Sequence, residues 1–213
     1  MSAEQGTPEW LKERCGHLTA SVFVDVMSEG RKAGRKNLIA KLVAERLTGE
    51  PGESFTNAAM QWGTENEAIA RSAYELEQGV IVSEVGFIKH PEITWAGASP
   101  DGLVGEEGLV EIKCPNTATH IDYFINQTPP EAYVLQMQWQ MACTNRKWCD
   151  WVSYDPRLSP EFQLMVVRID RDDIKIKKME EAAEKFLQEV SESIAKLKSV
   201  AREQNPVYLA EQA

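Results

Sequence analysis

Residues 99–115 read SPDGLVGEEGLVEIKCP, and this stretch decides the fold of the 213-residue chain. It opens with the turn signal Ser-Pro-Asp-Gly, and a tight polar turn, Gly-Glu-Glu-Gly, separates two apolar segments. This layout predicts a β-hairpin with a loop of about four residues. Glu111 and Lys113, two residues apart, leave the same face of the second strand as Leu109. The residues between them point the other way, into a core.

Charged side chains on this hairpin need partners, because a carboxylate or an ammonium between buried neighbours is costly unless an opposite charge meets it. Asp101, at the mouth of the hairpin, is a second carboxylate that can converge on Glu111 and Lys113. Two carboxylates with an open side suit a hard divalent cation such as Mg2+. The lysine suits a substrate phosphate or an attacking water. The alternative is an exposed hairpin with a cross-strand ion pair.

The same residues resemble the PD-(D/E)XK nuclease motif. Pro100-Asp101 corresponds to its first part, and Val110-Glu111-Ile112-Lys113 corresponds to its second part. A nuclease active site is therefore a hypothesis, and the rest of the chain has to support it.

Length and composition bound the class of protein. A chain of 213 residues is one large domain or two small ones, and 26% charged with 43% apolar residues is ordinary for a soluble protein. No apolar run approaches the ~20 residues that span a bilayer, and the first residues lack an apolar signal core, so a cytoplasmic location without membrane contact is expected. The net charge of −10 argues against nucleic-acid binding by the whole surface. A local basic lining in an acidic body would confine DNA to one channel.

Cysteine and histidine spacing predicts no metal site. The four cysteines have no CxxC spacing and are expected as reduced thiols, which form neither a zinc site nor a disulfide framework. An iron–sulfur cluster also lacks a ligand set. His90 and His120 have no partner at ligand spacing and are expected on the surface.

Two short helices predicted near the N-terminus could together bind a terminal phosphate. Arg14 lies at the end of the first helix, and Thr19 is predicted to cap a second helix over 20–28. Ser21 then lies in a first turn, where free backbone N–H groups and the helix dipole favour anions. An arginine, a hydroxyl and a helix N-terminus can hold a phosphate. The alternative is a capped helix beside an exposed arginine.

A basic segment follows, in which four of the eight residues 29–36 are Lys or Arg and two are Gly. In an acidic protein this local reversal of sign predicts a mobile loop that touches a phosphate backbone. The candidate contacts are Arg31, Lys32 and Arg35. The alternative is a solvated loop without a partner.

The remaining periodicity predicts an α/β (α+β) chain. Further helices are predicted over 37–49, 56–77, 131–144 and 171–203. Further strands are predicted over 80–82, 85–88, 93–98, 147–155 and 162–169. With the hairpin, these strands predict an antiparallel or mixed sheet of about five strands.

Two of the predicted helices carry candidate site residues. Glu67 has small or apolar residues after it and could bring a third carboxylate to a metal site behind the sheet. Alternatively, it is a surface residue that pairs with Arg71 at i+4. Gln136 and Gln140 share a helix face, where amides can orient water or a phosphate oxygen. Alternatively, they form a polar stripe between apolar ones.

With these motifs assembled, the chain is similar to the phage lambda exonuclease family, the viral-type alkaline exonucleases related to YqaJ recombinases. The similarity runs from Trp10 to about Arg168, most of the chain. The motifs that carry it are Trp10-Leu11-Lys12-Glu13-Arg14 with Thr19-Ala20-Ser21, Trp62-Gly63 with Glu67 and Arg71, Ser99-Pro100-Asp101-Gly102-Leu103 with Glu111-Ile112-Lys113-Cys114-Pro115, Gln136-Met137-Gln138, and Tyr154-Asp155-Pro156-Arg157.

The resemblance implies a PD-(D/E)XK restriction-endonuclease-like core, a central mixed sheet of about five strands flanked by helices. It implies one exonuclease domain over 1–213, with DNA-end-binding helices over 8–49, a catalytic core over 55–170 and a long helix over 171–203. The implied activity is 5′→3′ degradation of one strand of linear double-stranded DNA. This activity releases 5′-mononucleotides and leaves 3′ overhangs for recombination by strand annealing.

The resemblance also implies cofactors and partners. Two Mg2+ ions are expected, with Mn2+ as a possible substitute. The expected partners are double-stranded DNA, two further copies of the chain in a ring-shaped homotrimer, and a phage-type single-strand annealing protein.

Carried over residue by residue, the resemblance assigns roles around the hairpin. The implied metal ligands are Asp101, Glu111, the backbone carbonyl of Ile112, and Glu67. Lys113 and Gln136 are expected to position the attacking water and the scissile phosphate.

Other residues are implied to bind the DNA end. Arg14 and Ser21 are expected to grip the 5′-phosphate, with Ser99 beside it, and Arg31 matches the basic loop of the family. Thr119 departs from the pattern, because a basic residue is expected there, and any DNA or partner contact at that position stays open.

Two other functions remain open. One is a different nuclease of the same fold, either an endonuclease or a single-strand exonuclease. The other is a non-catalytic scaffold that binds DNA ends. The set of Asp101, Glu111 and Lys113 argues against the scaffold, because a scaffold has no need of costly converging charges.

Overall fold

The structure is a computed structural model, which describes residues 3–28, 33–52 and 57–204. Its helices are α1 (Pro8–Arg14), α2 (Phe23–Met27), α3 (Ala33–Thr48), α4 (Ala58–Gln78), α5 (Thr117–Asn126), α6 (Glu131–Thr144) and α7 (Asp173–Gln204). Its strands are β1 (Leu18–Thr19), β2 (Val82–Ser83), β3 (Ile88–Lys89), β4 (Ala96–Ala98), β5 (Gly102–Val104), β6 (Gly108–Lys113), β7 (Trp148–Tyr154) and β8 (Leu164–Asp170). Short 3-10 turns lie at Ala20–Val22 and Pro160–Phe162. Within these ranges, no helix combines the length and the apolar character that crossing a membrane requires.

The predicted hairpin is confirmed as β5 and β6, with Leu103 opposite Leu109. Its turn passes through Gly105 at φ 53°, a conformation that glycine adopts without strain. The hairpin lies in a five-stranded sheet with the order β2-β5-β6-β7-β8. The β6–β7 pair is parallel and the other pairs are antiparallel, so the predicted mixed sheet of five strands is confirmed.

The segments predicted as strands at 85–88 and 93–98 do not join this sheet. They form β3 and β4 of a small separate sheet with the order β1-β4-β3. A Cβ atom at Gly97 would lie 2.3 Å from the Phe87 ring, so the glycine allows the close packing of the two strands. The β1–β4 pair is parallel, with Thr19 opposite Gly97. The residues that follow β1 and β4 therefore leave the small sheet at the same end of its strands.

Both faces of the central sheet are buried, whereas the sequence analysis assigned a core only to the face of Val110. Val110 and Ile112 pack with α4. On the other face, Leu109 and Trp151 belong to the larger core formed with α6 and α7. Burial on both faces is typical of the parallel centre of a sheet that helices cover on either side.

Helix α3 begins at Ala33, so Arg35 is helical and does not belong to the predicted mobile loop. Arg35 donates a 2.6 Å hydrogen bond to Glu189 on α7 and lies 4.8 Å from the centre of the Phe186 ring. A Cβ atom at Gly34 would lie 2.2 Å from a carboxylate oxygen on α2, so this glycine allows α3 to begin where it does.

The other two candidate contacts of this segment, Arg31 and Lys32, lie outside the described residues.

An ionic cluster around the buried carboxylate of Asp150 joins α4 to the sheet. Asp150 on β7 accepts a 2.8 Å hydrogen bond from the Tyr74 hydroxyl of α4. It also accepts two hydrogen bonds, at 2.7 and 2.8 Å, from the Arg168 guanidinium of β8. Arg168 in turn lies 3.6 Å from the centre of the Trp148 ring. Because these contacts hold α4 against the sheet, they also hold the part of α4 that carries Glu67.

We expect Asp150→Ala to lower the free energy of unfolding by about 3 kcal/mol, because it leaves a buried hydroxyl and a guanidinium without an acceptor. The measurement is urea unfolding followed by circular dichroism. Glu107→Ala removes an ion pair with Lys147 in which both side chains are more than half exposed, and should cost less than ~1 kcal/mol. Equal losses in the two variants would contradict a structural role for the cluster.

Candidate active site

Asp101 is held against strand β6, as the sequence analysis expected. It directly precedes β5, and Gly102 lies opposite Val110 in the ladder. Its Oδ2 atom accepts a 2.6 Å hydrogen bond from the backbone N–H of Ile112. The carboxylate at the mouth of the hairpin is therefore tied to the strand that carries Glu111.

Glu111 is a fully buried carboxylate with three donors. Its Oε1 atom accepts hydrogen bonds from the Lys113 ammonium and from the Gln136 amide. Its Oε2 atom accepts a 2.6 Å hydrogen bond from the Gln140 amide. These donors compensate for a charge that would otherwise be very costly to bury.

Lys113 lies between the buried carboxylate and the surface. Its ammonium contacts Glu111, lies 5.2 Å from the centre of the Tyr133 ring, and belongs to a side chain that is 25% exposed. Burial by itself would lower the pKa of Lys113. The carboxylates of Glu111 and Asp101 outweigh burial, however, and raise this pKa above its ordinary value. Lys113 is therefore a permanent cation at neutral pH and is suited to bind an anion.

Glu67 reaches the same place from α4. It lines one cavity of about 220 Å³ together with Asp101. It also lines a second cavity, of about 450 Å³, together with Ile112 and Lys113. Its alternative partner, Arg71, is paired with Glu84 instead. The structure thus brings Glu67 close to Asp101 and Glu111, which lie far from it in the sequence.

The pKa values of Glu67 and Asp101 are both raised, first by burial and then by the charge of Glu111. Burial raises the pKa of Glu67 above its ordinary range, and the nearby Glu111 raises it further. Burial and Glu111 also raise the pKa of Asp101 well above its ordinary value. When all groups are ionised, three carboxylates face the single ammonium of Lys113, so the cluster has a net negative charge. A divalent cation would compensate this charge.

The donor set fits a hard divalent cation by its chemistry, because carboxylate and carbonyl oxygens are the ligands that Mg2+ prefers. The spacing is a different matter. Within 3–28, 33–52 and 57–204, no three Asp, Glu, His or Cys side chains are grouped to hold one ion. Glu111 is occupied by Lys113 and two amides. Binding of a cation therefore requires some of these side chains to reorient.

A second group of residues forms a polar pocket close to Asp101. Arg14 donates a 2.9 Å hydrogen bond to the Ser99 hydroxyl, and Trp10 donates a 3.0 Å hydrogen bond to the same oxygen. The Arg14 guanidinium lies 4.2 Å from the centre of the Trp10 ring. Burial lowers the pKa of Arg14 to about 10, while the charge of Glu45 acts in the opposite direction. The guanidinium is still charged at neutral pH and can bind a phosphate.

Ser21 lies at the same end of the small sheet as Ser99, but it is not in the first turn of an α-helix as predicted. It is exposed in the 3-10 turn Ala20–Val22, and the five-residue helix α2 begins only at Phe23. Thr19 makes no side-chain cap there, so the predicted capped N-terminus was wrong. The parallel β1–β4 pairing nevertheless sends the chain toward Ser21 and Ser99 at one end. Arg35, bonded to α7, is not part of this pocket.

Arg157 lies next to the site, and the sequence analysis gave it no role beyond its place in a family motif. Arg157 donates hydrogen bonds of 2.7 and 3.0 Å to Asp155 and one of 3.3 Å to the carbonyl of Pro115. Its guanidinium lies 4.3 Å from the centre of the Trp62 ring on α4. Arg157 thus joins the segment after Lys113 to the helix that carries Glu67. The Tyr-Asp-Pro-Arg motif was the signal in the sequence.

The histidines were predicted on the surface, but both are buried. His120 bonds through Nδ1 to the Ser153 hydroxyl and through Nε2 to the carbonyl of Phe162, each at 2.8 Å. His90 stacks on Trp139 with 5.0 Å between ring centres. Nothing in the spacing of the histidines signals this burial, because it results from packing of α5 and α6 against distant strands.

Comparison with known proteins agrees with this geometry. A family model described as the YqaJ-like viral recombinase domain matches residues 9–147. The alkaline exonuclease LHK-Exo from Laribacter hongkongensis is 50% identical, with a TM-score of 0.88 over 93% of this chain and 100% of that chain. Its complex with dAMP gives a TM-score of 0.89 at the same identity. These matches confirm the resemblance that the motifs predicted.

More distant relatives were also found. A phage-related exonuclease from Haemophilus somnus has a TM-score of 0.70 at 16% identity, over 85% of this chain and 96% of that chain, which shows the shared fold alone. An uncharacterized protein of Acanthamoeba polyphaga mimivirus is 29% identical over 165 residues, 70% of this chain. The chain spans only 29% of the length of that viral relative.

We expect Asp101→Asn to stabilise the metal-free protein by about 1 kcal/mol at pH 7, because it removes one of the mutually repelling carboxylates and keeps an oxygen for the Ile112 N–H. The folded-state pKa of Asp101 is raised, so the native protein loses stability as pH rises through that value. The gain in the variant should therefore be absent below pH 3.8, the ordinary pKa of Asp, and should grow above it.

The measurement is urea unfolding in a chelator across this pH range. Asp122→Asn, on the surface of α5, is the control and should change stability by less than ~0.5 kcal/mol at every pH. A destabilised Asp101→Asn protein at pH 7 would show that the carboxylates do not repel one another.

Proposed function

Since this chain belongs to the YqaJ-like viral recombinase family and is a homologue of an alkaline exonuclease, we propose that it is a metal-dependent exonuclease of linear double-stranded DNA. The proposed reaction degrades one strand in the 5′→3′ direction and releases 5′-mononucleotides. It leaves a 3′ single-stranded overhang that can recombine by strand annealing.

One observation supports this proposal above the others. Glu67 and Asp101 line one cavity, Glu67 and Lys113 line a second, and the carboxylate of Glu111 is buried in contact with the Lys113 ammonium. Such a cluster costs folding free energy through desolvation and like-charge repulsion. A scaffold that only binds DNA ends would not need it, whereas a metal-dependent phosphodiesterase would.

The residues of this chain have separate parts in the proposed mechanism. Asp101, Glu111, the carbonyl of Ile112 and Glu67 would hold two Mg2+ ions, for which Mn2+ could substitute. When bound, these ions would activate a water molecule and stabilise the leaving 3′ oxygen. Lys113 would position the attacking water and the scissile phosphate and stabilise negative charge on that phosphate. Gln136 would hold Glu111 through its N–H group and accept a hydrogen bond from the attacking water through its oxygen.

The pocket of Arg14, Ser99 and Ser21 would hold the terminal 5′-phosphate. Ser99 lies two residues before Asp101, and two residues span at most about 7 Å. A phosphate held at Ser99 would therefore leave the next phosphodiester within reach of the metal ligands. This spacing suits removal of one nucleotide at a time.

The proposal extends to the assembly of the protein. We propose one exonuclease domain, a homotrimeric ring threaded by double-stranded DNA, and a phage-type single-strand annealing protein as partner, in the cytoplasm. A net charge of −10 suits an enzyme that binds DNA only inside a channel, because the outer surface then repels the phosphate backbone.

We expect Lys113→Ala to bind linear duplex DNA normally in the absence of divalent cations and to lose at least about 10²-fold in turnover in Mg2+. The measurement is release of mononucleotides from end-labelled linear duplex, beside nicked and closed circular DNA that an endonuclease would also cut. Lys147→Ala, which removes an exposed lysine, is the control. Near-normal turnover in Lys113→Ala would refute the role of Lys113.

We expect Arg14→Ala to reduce the preference for 5′-phosphorylated over 5′-hydroxyl ends by about tenfold, which is the contribution of one hydrogen bond to a charged group. Initial rates on the two substrates provide the measurement. Lys12→Ala removes a cation from the exposed side of the same helix and should leave the preference unchanged. An unaltered preference in Arg14→Ala would exclude Arg14 from the phosphate pocket.

A further inference from the structure

The side chain of Gln140 is a second amide on the buried carboxylate of Glu111. Gln136 and Gln140 are one helical turn apart on α6 and reach different oxygens of that carboxylate. Oε1 also contacts Lys113, whereas Gln140 is the one donor recorded for Oε2 in the described parts of the chain. Together the two amides determine the plane of the carboxylate. Without Gln140, the Oε2 atom would be buried without a donor.

The contact with Glu111 determines which way the Gln140 amide faces. A carboxylate is only an acceptor, so the amide must present its N–H group to Oε2 and turn its own oxygen away. That oxygen, Oε1 of Gln140, is buried and has no hydrogen-bond partner among the residues that the structure describes. A buried acceptor without a partner costs about 1–3 kcal/mol. The amide cannot flip to relieve this cost, because flipping would set two acceptors against each other.

We propose that Gln140 is a positioning residue, which orients Glu111 as a metal ligand and accepts a hydrogen bond from a water molecule bound to the same cation. This inference rests on the proposed metal-dependent function. It explains why a fully buried amide keeps an unsatisfied oxygen beside the metal ligands. Partners that orient a metal ligand typically contribute 10–100-fold to metal affinity.

Another glutamine on the same helix provides the contrast. Gln138 is also buried, but it faces the connection between β8 and α7. Its amide donates a 2.8 Å hydrogen bond to the carbonyl of Asp170, and its oxygen accepts a 2.9 Å hydrogen bond from the N–H of Asp172. Both ends of Gln138 are therefore satisfied by the protein itself. Its contacts are structural, which makes it a matched control for Gln140.

The test compares Gln140→Met with Gln138→Met, since each replaces a buried amide by an apolar side chain of similar length. Calorimetric titration of the DNA-free protein with Mg2+ measures affinity without any turnover. We expect Gln140→Met to bind Mg2+ about 10–100-fold more weakly than the native protein. We expect Gln138→Met to lower the melting temperature and to bind Mg2+ with native affinity.

A second measurement separates a positioning role from a general loss of structure. The Mg2+ concentration for half-maximal digestion of linear duplex should rise in Gln140→Met by the same factor as the dissociation constant, and high Mg2+ should restore most of the turnover. Gln140→Leu provides the same comparison if the methionine variant does not fold. Native Mg2+ affinity in the Gln140 variants, or an equal loss of affinity in Gln138→Met, would overturn the inference.

The outcomes distinguish this inference from the proposed function. If the native protein binds Mg2+ but does not digest linear DNA, the proposed function fails, and the difference in affinity between the variants still decides the role of Gln140. If the native protein digests DNA and the Gln140 variants match it at limiting Mg2+, only the role of Gln140 fails. A native protein that does not bind Mg2+ would overturn both.

Discussion

Burial of the Glu111 carboxylate is the constraint on which the rest of the structure depends. A charge at the centre of a sheet that is covered on both faces requires compensation, because the interior cannot solvate it. The compensation comes from Lys113 on the same strand and from two amides on α6. The relative position of α6 and β6 is therefore set by polar contacts as well as by packing. Helix α6 is correspondingly buried over most of its length and carries glutamines where a core helix would ordinarily carry apolar residues.

On the other face of the sheet, helix α4 brings Glu67 toward another carboxylate. The raised pKa of Glu67 reflects its burial and the charge of Glu111, and both oppose this close approach when Glu67 is ionised. The cluster of Asp150, Tyr74 and Arg168 holds this helix on the sheet at a distance from the site. Arg157 adds a second attachment through Trp62. Stability supplied by these contacts can offset the repulsion within the site, a common compromise between stability and activity.

The small sheet β1-β4-β3 positions a second set of candidate site residues. Strand β4 continues into Ser99 and then Asp101, so one short segment carries the hydrogen-bond partner of Arg14 and a candidate metal ligand. Glu45 on α3 accepts a 2.8 Å hydrogen bond from the N–H of Gly16, which follows α1 closely. This hydrogen bond attaches the end of α1, which carries Arg14, to α3. The cluster of Arg14 and Ser99 and the candidate metal ligand Asp101 are thus supported by the same small sheet.

Short-range patterns in the sequence predicted the hairpin, the central mixed sheet and the long helices, because alternation and turn residues depend only on neighbours in the chain. The same patterns singled out Asp101, Glu111 and Lys113 as candidate site residues. The same patterns made Glu67, Gln136 and Arg14 candidates with open alternatives, and the family motifs assigned roles to them. Tertiary structure alone decided the rest. It placed β3 and β4 in a separate sheet, bound Arg35 to α7 and buried His120 between α5 and β7.

The sequence showed that Gln136 and Gln140 share a helix face, but it left open whether that face was a polar stripe or part of a site. Only the packing of α6 against β6 decided that both amides meet one carboxylate. The physical reason is that a helix face is a local property, whereas the partner of that face depends on residues about 25 to 29 positions away and on the cost of leaving their charge unpaired.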